Sequence, residues 1–258
     1  MFRSVFILRV CPAVLALLVA LTGPLLAATG EQDHPADTRD RVADRFPTGQ
    51  EVSLFDGKQL LDWEIAAEQM FDEHGPVSVV AGTIQIERGD PASGIRWKGS
   101  FPRVHYEVTL EAKRIEGNDF FCGITFPYND SYATLILGGW DGSATGLSNV
   151  DQLSAIENHT TTYQTYRRDQ WYHIRLRVTQ QAIRAWLDHQ PILDLETKGH
   201  RFSIWWEQEP LRPFGIASWY TSSALRNIRL RRLPERAGQA AVRVLVAGQY
   251  NQHGCQPL

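Results

Sequence analysis

Residues 171–191 read WYHIRLRVTQQAIRAWLDHQP, and this stretch decides the fold class. Tyr172, Ile174, Leu176 and Val178 alternate with His173, Arg175 and Arg177; Ile183, Ala185 and Leu187 then alternate with Arg184 and Trp186. A period of two sends successive side chains to opposite faces of a strand, so each run predicts a strand with one apolar face. Asp188–Pro191 turns the chain into Ile192–Leu195. Upstream, Val104, Tyr106, Val108 and Leu110 alternate in the same way with His105, Glu107, Thr109 and Glu111. Segments 119–126 and 132–138 are apolar on both faces, as central strands covered on both sides are. Glu51–Trp63 opens the domain through an Asp56-Gly57 turn, and Phe214–Trp219 and Ala224–Leu233 close it. No ten-residue stretch within these bounds has a helical period. The pattern predicts an all-β, two-sheet antiparallel sandwich over residues 49–233.

The ends read differently. Arg3 and Arg9, the apolar run Val10–Leu26 and the small residues Ala27 and Ala28 predict an export signal over residues 1–28. Pro12, Thr22, Gly23 and Pro24 make that run a poor permanent membrane span. The expected location is therefore the periplasm, the cell surface or the medium. Residues 29–48 are charged and predict a flexible linker. The tail from residue 234 to 258 has one apolar patch, AVRVLVAG, that fits an edge strand. Cys122 reads as a buried thiol, and a bridge to Cys255 is allowed in an oxidising compartment without being deducible. A net charge of −3 with mixed signs argues against a nucleic-acid partner.

The candidate site is Leu137–Thr162, which breaks the strand pattern and predicts a long loop. Trp140 follows Gly138-Gly139, so the backbone can come close while the indole offers a flat face to a sugar ring. Asp141, Glu157 and His159 are the titratable groups for acid–base work there, with Asn149, Asp151 and Asn158 as hydroxyl-binding partners. A tight turn at Asp141-Gly142 and solvated Glu157 and His159 are the plain alternative. The pairs Asn129/Asp130 and Asn149/Asp151 have the oxygen donors that Ca²⁺ takes, but neither forms an EF-hand loop. His105, Glu107, Arg175 and Arg177 occupy polar strand faces that are either ligand-binding or solvated. In IWWEQEP, the pair Trp205-Trp206 predicts one indole in and one out if the segment is a strand.

The opening SLFDGKQLLDW, the following VVAGTIQI and the closing ALRNIRLRRL, with Arg226, Asn227 and Ile228, resemble the 3-keto-disaccharide hydrolase domain family. The resemblance covers about residues 50–233. It implies a concanavalin A-like jelly roll and activity on oxidised sugars. Two strands depart from the family's pattern. FCGITFP has Pro127 where the family has an Arg, and YATLI has Ala133 for a Glu and Leu135 for a Gln. On that alignment the fold carries over and the charged pair does not. This leaves an exported carbohydrate-active enzyme, a non-catalytic glycan-binding module, or a cell-surface protein-interaction domain. The alignment further implies weak or absent hydrolysis of 3-keto-disaccharides.

Overall fold

The strand runs assemble into two antiparallel sheets in a computed structural model that describes residues 41–235. The export signal, the linker before residue 41, the tail strand and Cys255 lie outside the described residues. The first sheet runs β13 (Gln190–Glu196), β12 (Ala182–Leu187), β11 (Tyr172–Val178), β6 (Tyr106–Gly117), β15 (Thr221–Arg232), β4 (Thr83–Ile86) and β3 (Val77–Val80). A short β1 (Glu51–Ser53) also pairs with β15. The second sheet runs β10 (Thr162–Tyr163), β9 (Ala144–Ser148), β8 (Ser131–Gly139) and β7 (Cys122–Tyr128). It continues through β14 (Gly215–Trp219), β5 (Ala92–Trp97) and β2 (Trp63–Ile65). Neighbours in each sheet are mostly distant in sequence, so the chain crosses repeatedly between the two layers. This is the two-sheet sandwich that the alternation predicts, with the jelly-roll architecture that the family resemblance implies.

The apolar faces meet between the sheets. Val108, Leu110, Ile174 and Leu176 of the first sheet share one core with Ile95, Ile124, Leu135 and Ile216 of the second, and all eight are fully buried. Cys122 lies in the same core, and burial pushes its thiol far above the usual thiol range. The second sheet is covered on its other face too, which explains why β7 and β8 lack alternation. There Phe71, Phe120, Ile136, Leu211 and Ala217 form a smaller cluster. Gly123 makes room for it: a Cβ there would stand 2.9 Å from the Phe120 ring.

Three expectations are corrected. The linker is ordered from residue 41 onward: residues 41–45 are helical and Phe46 is fully buried. Its ring packs 6.0 Å from Phe101, and Arg45 lies 4.4 Å over Trp97. The charged composition hid that one aromatic anchor. Leu137–Thr162 is not one long loop either. β8 and β9 form a hairpin across it, turned by Trp140–Ser143, and only residues 149–161 remain irregular. Trp205 and Trp206 belong to no strand; a 3-10 turn, Trp206–Leu211, follows Trp205, and both indoles are exposed.

Candidate functional site

The hairpin turn at Trp140 forms one wall of a cleft of about 370 Å³ over the outer face of the second sheet. Thr134 and Ile136 of β8 and Ser148 of β9 lie along it, and Phe120, Trp140, Trp205 and Trp219 supply aromatic surface. Phe120 and Trp219 support one another at 6.1 Å between ring centroids. Three polar side chains complete the lining: Asp119, Glu207 and Gln208. Glu207 Oε2 and Gln208 Oε1 are buried and have no hydrogen-bond partner within the chain. Such acceptors normally find a partner, so a bound hydroxyl is a fitting one. Flat indoles beside unsatisfied oxygens suit a pyranose, whose C–H faces are apolar and whose edges are hydroxylated.

Asp119 has a second aspect. It also lines an adjoining polar pocket with Arg88, Glu116, Asn118, Asp141, Arg168 and Tyr220. Burial pushes its carboxyl above the usual carboxylate range, against backbone N–H groups of Phe120 and Trp140, and the charge of Asp141 adds to the rise. The Phe120 N–H donates to Asp119 Oδ1 at 2.7 Å. A carboxyl that binds its proton more tightly than usual is suited to proton transfer.

Of the residues singled out from sequence, Trp140 lines the aromatic cleft and Asp141 the polar pocket beside it. Both have left-handed backbone, φ 44° and 65°, which non-glycine residues adopt at a cost. The plain reading of Asp141-Gly142 as a turn is correct, and the same turn shapes the site. The structure does not bring the other five to either pocket. Asn158 is buried and fully engaged: its Nδ2 donates to the carbonyls of Leu147, Leu153 and Ser154, and its Oδ1 accepts from Thr160. It holds the 149–161 loop rather than a ligand. Glu157 accepts from the backbone N–H and hydroxyl of Ser154, which hold its carboxyl below the usual range. His159 is exposed, with its ring 5.0 Å from that of His200. His200 contacts Asp151 Oδ2 at 2.7 Å, and the Arg201 N–H donates to Asp151 Oδ1. Asn149 is buried behind Ser148, whose hydroxyl donates to it at 2.9 Å.

The outer face of the first sheet is a separate surface. Arg177 pairs with Glu107 at 2.7 Å, and Arg175 stacks 3.8 Å over Trp186. Among the described residues, no three His, Cys, Asp or Glu side chains are placed to share a metal ion. No helix among them is long and apolar enough to cross a membrane.

Register fixes which residues of β8 face the core. Ala133 and Leu135 face the core, paired with Phe126 and Ile124. A one-residue slip exchanges faces along a strand. The positions of β8 that line the cleft are Thr134 and Ile136. Sequence reasoning missed Asp119, Glu207, Gln208 and Trp219. The only local signal was the exposed aromatic pair directly before Glu207.

Several solved structures superpose in part on the chain. A Crh5 transglycosylase in complex with NAG superposes with a TM-score of 0.50 at 14% identity, covering 74% of this chain and 87% of that one. A putative glycosyl hydrolase from Parabacteroides distasonis gives 0.46 at 12% identity, over 71% of this chain and 94% of the other. The carbohydrate-binding module CBM66 from Bacillus subtilis gives 0.44 at 13%, over 65% and 94%. No curated protein sequence matches the chain. Residues 50–231 do match the profile of one domain family, and the chain therefore belongs to the 3-keto-alpha-glucoside-1,2-lyase-like domain family, a carbohydrate-active, glycosyl-hydrolase-like group.

Proposed function

We propose that the aromatic cleft binds the sugar ring of a 3-keto-glucoside and that Asp119 and Glu207 move the protons that cleave it. One observation carries this reading: two carboxyl groups line a cleft walled by three tryptophans, and one of them is pushed up by burial. The family's name supplies the substrate class. A carbonyl at C3 acidifies the C2–H bond. Glu207, with an unpartnered oxygen, takes that proton. The electrons form the C1–C2 double bond as the C1–O bond breaks. Asp119, whose carboxyl burial makes a tighter proton holder, serves as the acid that protonates the departing oxygen. Asp141 stands beside Asp119 in the polar pocket and favours the protonated form.

A second reading is a glycan-binding module without turnover. It is favoured by the ligand-facing positions of β8, which are Thr134 and Ile136 and carry no charge. One assay separates the two. The purified protein is incubated with methyl 3-keto-α-D-glucopyranoside, and the conjugated enone product is followed by ultraviolet absorbance. The catalytic reading expects turnover that is lost in Asp119→Asn and Glu207→Gln while both variants still bind. Binding without turnover in the parent selects the module, and absence of both would overturn the cleft as a sugar site.

The charged start, apolar run and small residues further support export, with cleavage near Ala28. Mass measurement of the mature protein tests this. An intact Met1 in the membrane fraction would count against it.

A further inference from the structure

We propose that Arg114 is a positioning residue for the cleft, its buried guanidinium holding Asp119 and the Trp140–Gly142 turn in one geometry. This rests on the reading that Asp119 and Trp140 face the substrate. Arg114 belongs to β6, a strand of the opposite sheet, and its side chain reaches beneath the site. It is 4% exposed. Nη2 lies 3.1 Å from the Asp119 carbonyl, 3.0 Å from that of Gly138 and 3.0 Å from that of Gly142. Nη1 reaches the Tyr166 carbonyl at 3.5 Å. The two Nη2 protons therefore serve three acceptors from three parts of the cleft wall. Among the described residues no side-chain carboxylate hydrogen-bonds the guanidinium; carbonyl dipoles solvate it instead. A buried cation is costly unless its donors are engaged; here Nη1 and Nη2 are engaged at the fixed angles of a planar fork, while Nε is buried without a partner.

The glycines of this turn are shaped by the same group. A Cβ on Gly138 would lie 2.5 Å from Arg114 Nη2, and one on Gly142 3.0 Å from Nη1. Both glycines have positive φ, 75° and 89°. Together they leave space in which the guanidinium pins a turn whose two middle residues, Trp140 and Asp141, are left-handed. The Trp140 backbone N–H in turn faces the Asp119 carboxyl and favours its ionised form. Arg114, Asp119 and Trp140 thus form one linked unit. The charged groups facing Asp119 are Arg114 from β6, Asp141 from the turn, and Arg88, Glu116 and Arg168 around the polar pocket. Arg114 favours its ionised form and Asp141 opposes it.

The test uses the whole protein as Arg114→Lys and Arg114→Met, with carboxyl carbons of Asp labelled and the Asp119 resonance assigned by Asp119→Asn. Arg114→Met removes the charge and the fork. Its Asp119 titration is expected to move upward, and its kcat on methyl 3-keto-α-D-glucopyranoside to fall on the order of 10²-fold with a smaller change in KM. Arg114→Lys keeps the charge and loses the fork, so the titration stays near the parent's while kcat still falls. A variant that is folded by circular dichroism, with parent titration and parent kcat, overturns the proposal. If Arg114→Met does not fold, Arg114→Lys decides: parent kcat and KM there show that the three-carbonyl hold is dispensable. A moved Asp119 titration in a protein without turnover supports the hold of Arg114 on Asp119 and counts against the catalytic reading instead.

Discussion

Truncating Trp140 to Ala tests the cleft most directly. Trp140 is 39% exposed at the cleft wall. On an indole side chain of up to about 250 Å², that leaves roughly 100 Å² free for a ligand. A sugar ring covers between about 40 and 100 Å² of it, which at ~25 cal/mol per Å² is worth about 1–2.5 kcal/mol. The expected loss is therefore about 5- to 70-fold in Kd. Isothermal calorimetry with methyl 3-keto-α-D-glucopyranoside measures it, using catalytically silent Glu207→Gln as the background. The control is Trp186→Ala on the opposite sheet, whose indole lies under Arg175 and far from the cleft lining. Binding should be unchanged there. A folded Trp140→Ala protein that binds within twofold of its background, or an equal loss at Trp186, would refute the reasoning.

Other outcomes follow from the same geometry. Asp119 binds its proton more tightly folded than unfolded, so its contribution to stability is present at low pH and lost as pH rises through the folded midpoint. Asp119→Asn keeps the oxygen that accepts from Phe120, and should melt above the parent at pH 7, the gap closing below about pH 4. A lower melting point at pH 7 would contradict the raised carboxyl. Asn158→Ala leaves three carbonyls and the Thr160 N–H without their partner, and should cost about 3 kcal/mol in urea unfolding while sugar binding is unchanged. Ala133→Glu, which supplies the acid that the family resemblance implies at this position, places a carboxylate in the core. It should destabilise by 3 kcal/mol or more on the order of other unpaired buried charges and restore no activity, as urea unfolding and the enone assay would show.

The strands were legible in the chain because period-two alternation is a local property, readable wherever one face is buried and the other wet. Tyr172–Val178 and Ala182–Leu187 stand where that reading puts them, opposite each other in antiparallel register. β7 and β8 were legible as central strands because both their faces are covered. Trp140 and Asp141 were legible because a glycine-framed aromatic turn is itself a local signal. The remaining site was not. Asp119, Thr134, Glu207 and Trp219 come from four separate parts of the chain and meet only where β7, β8 and β14 lie side by side beneath the 3-10 turn. Whether Asn158 is a ligand or a loop brace depends on which carbonyls surround it, and whether residue 133 or 134 faces the sugar depends on pairing register. Both are set by contacts between residues distant in sequence, so only the tertiary structure decided them.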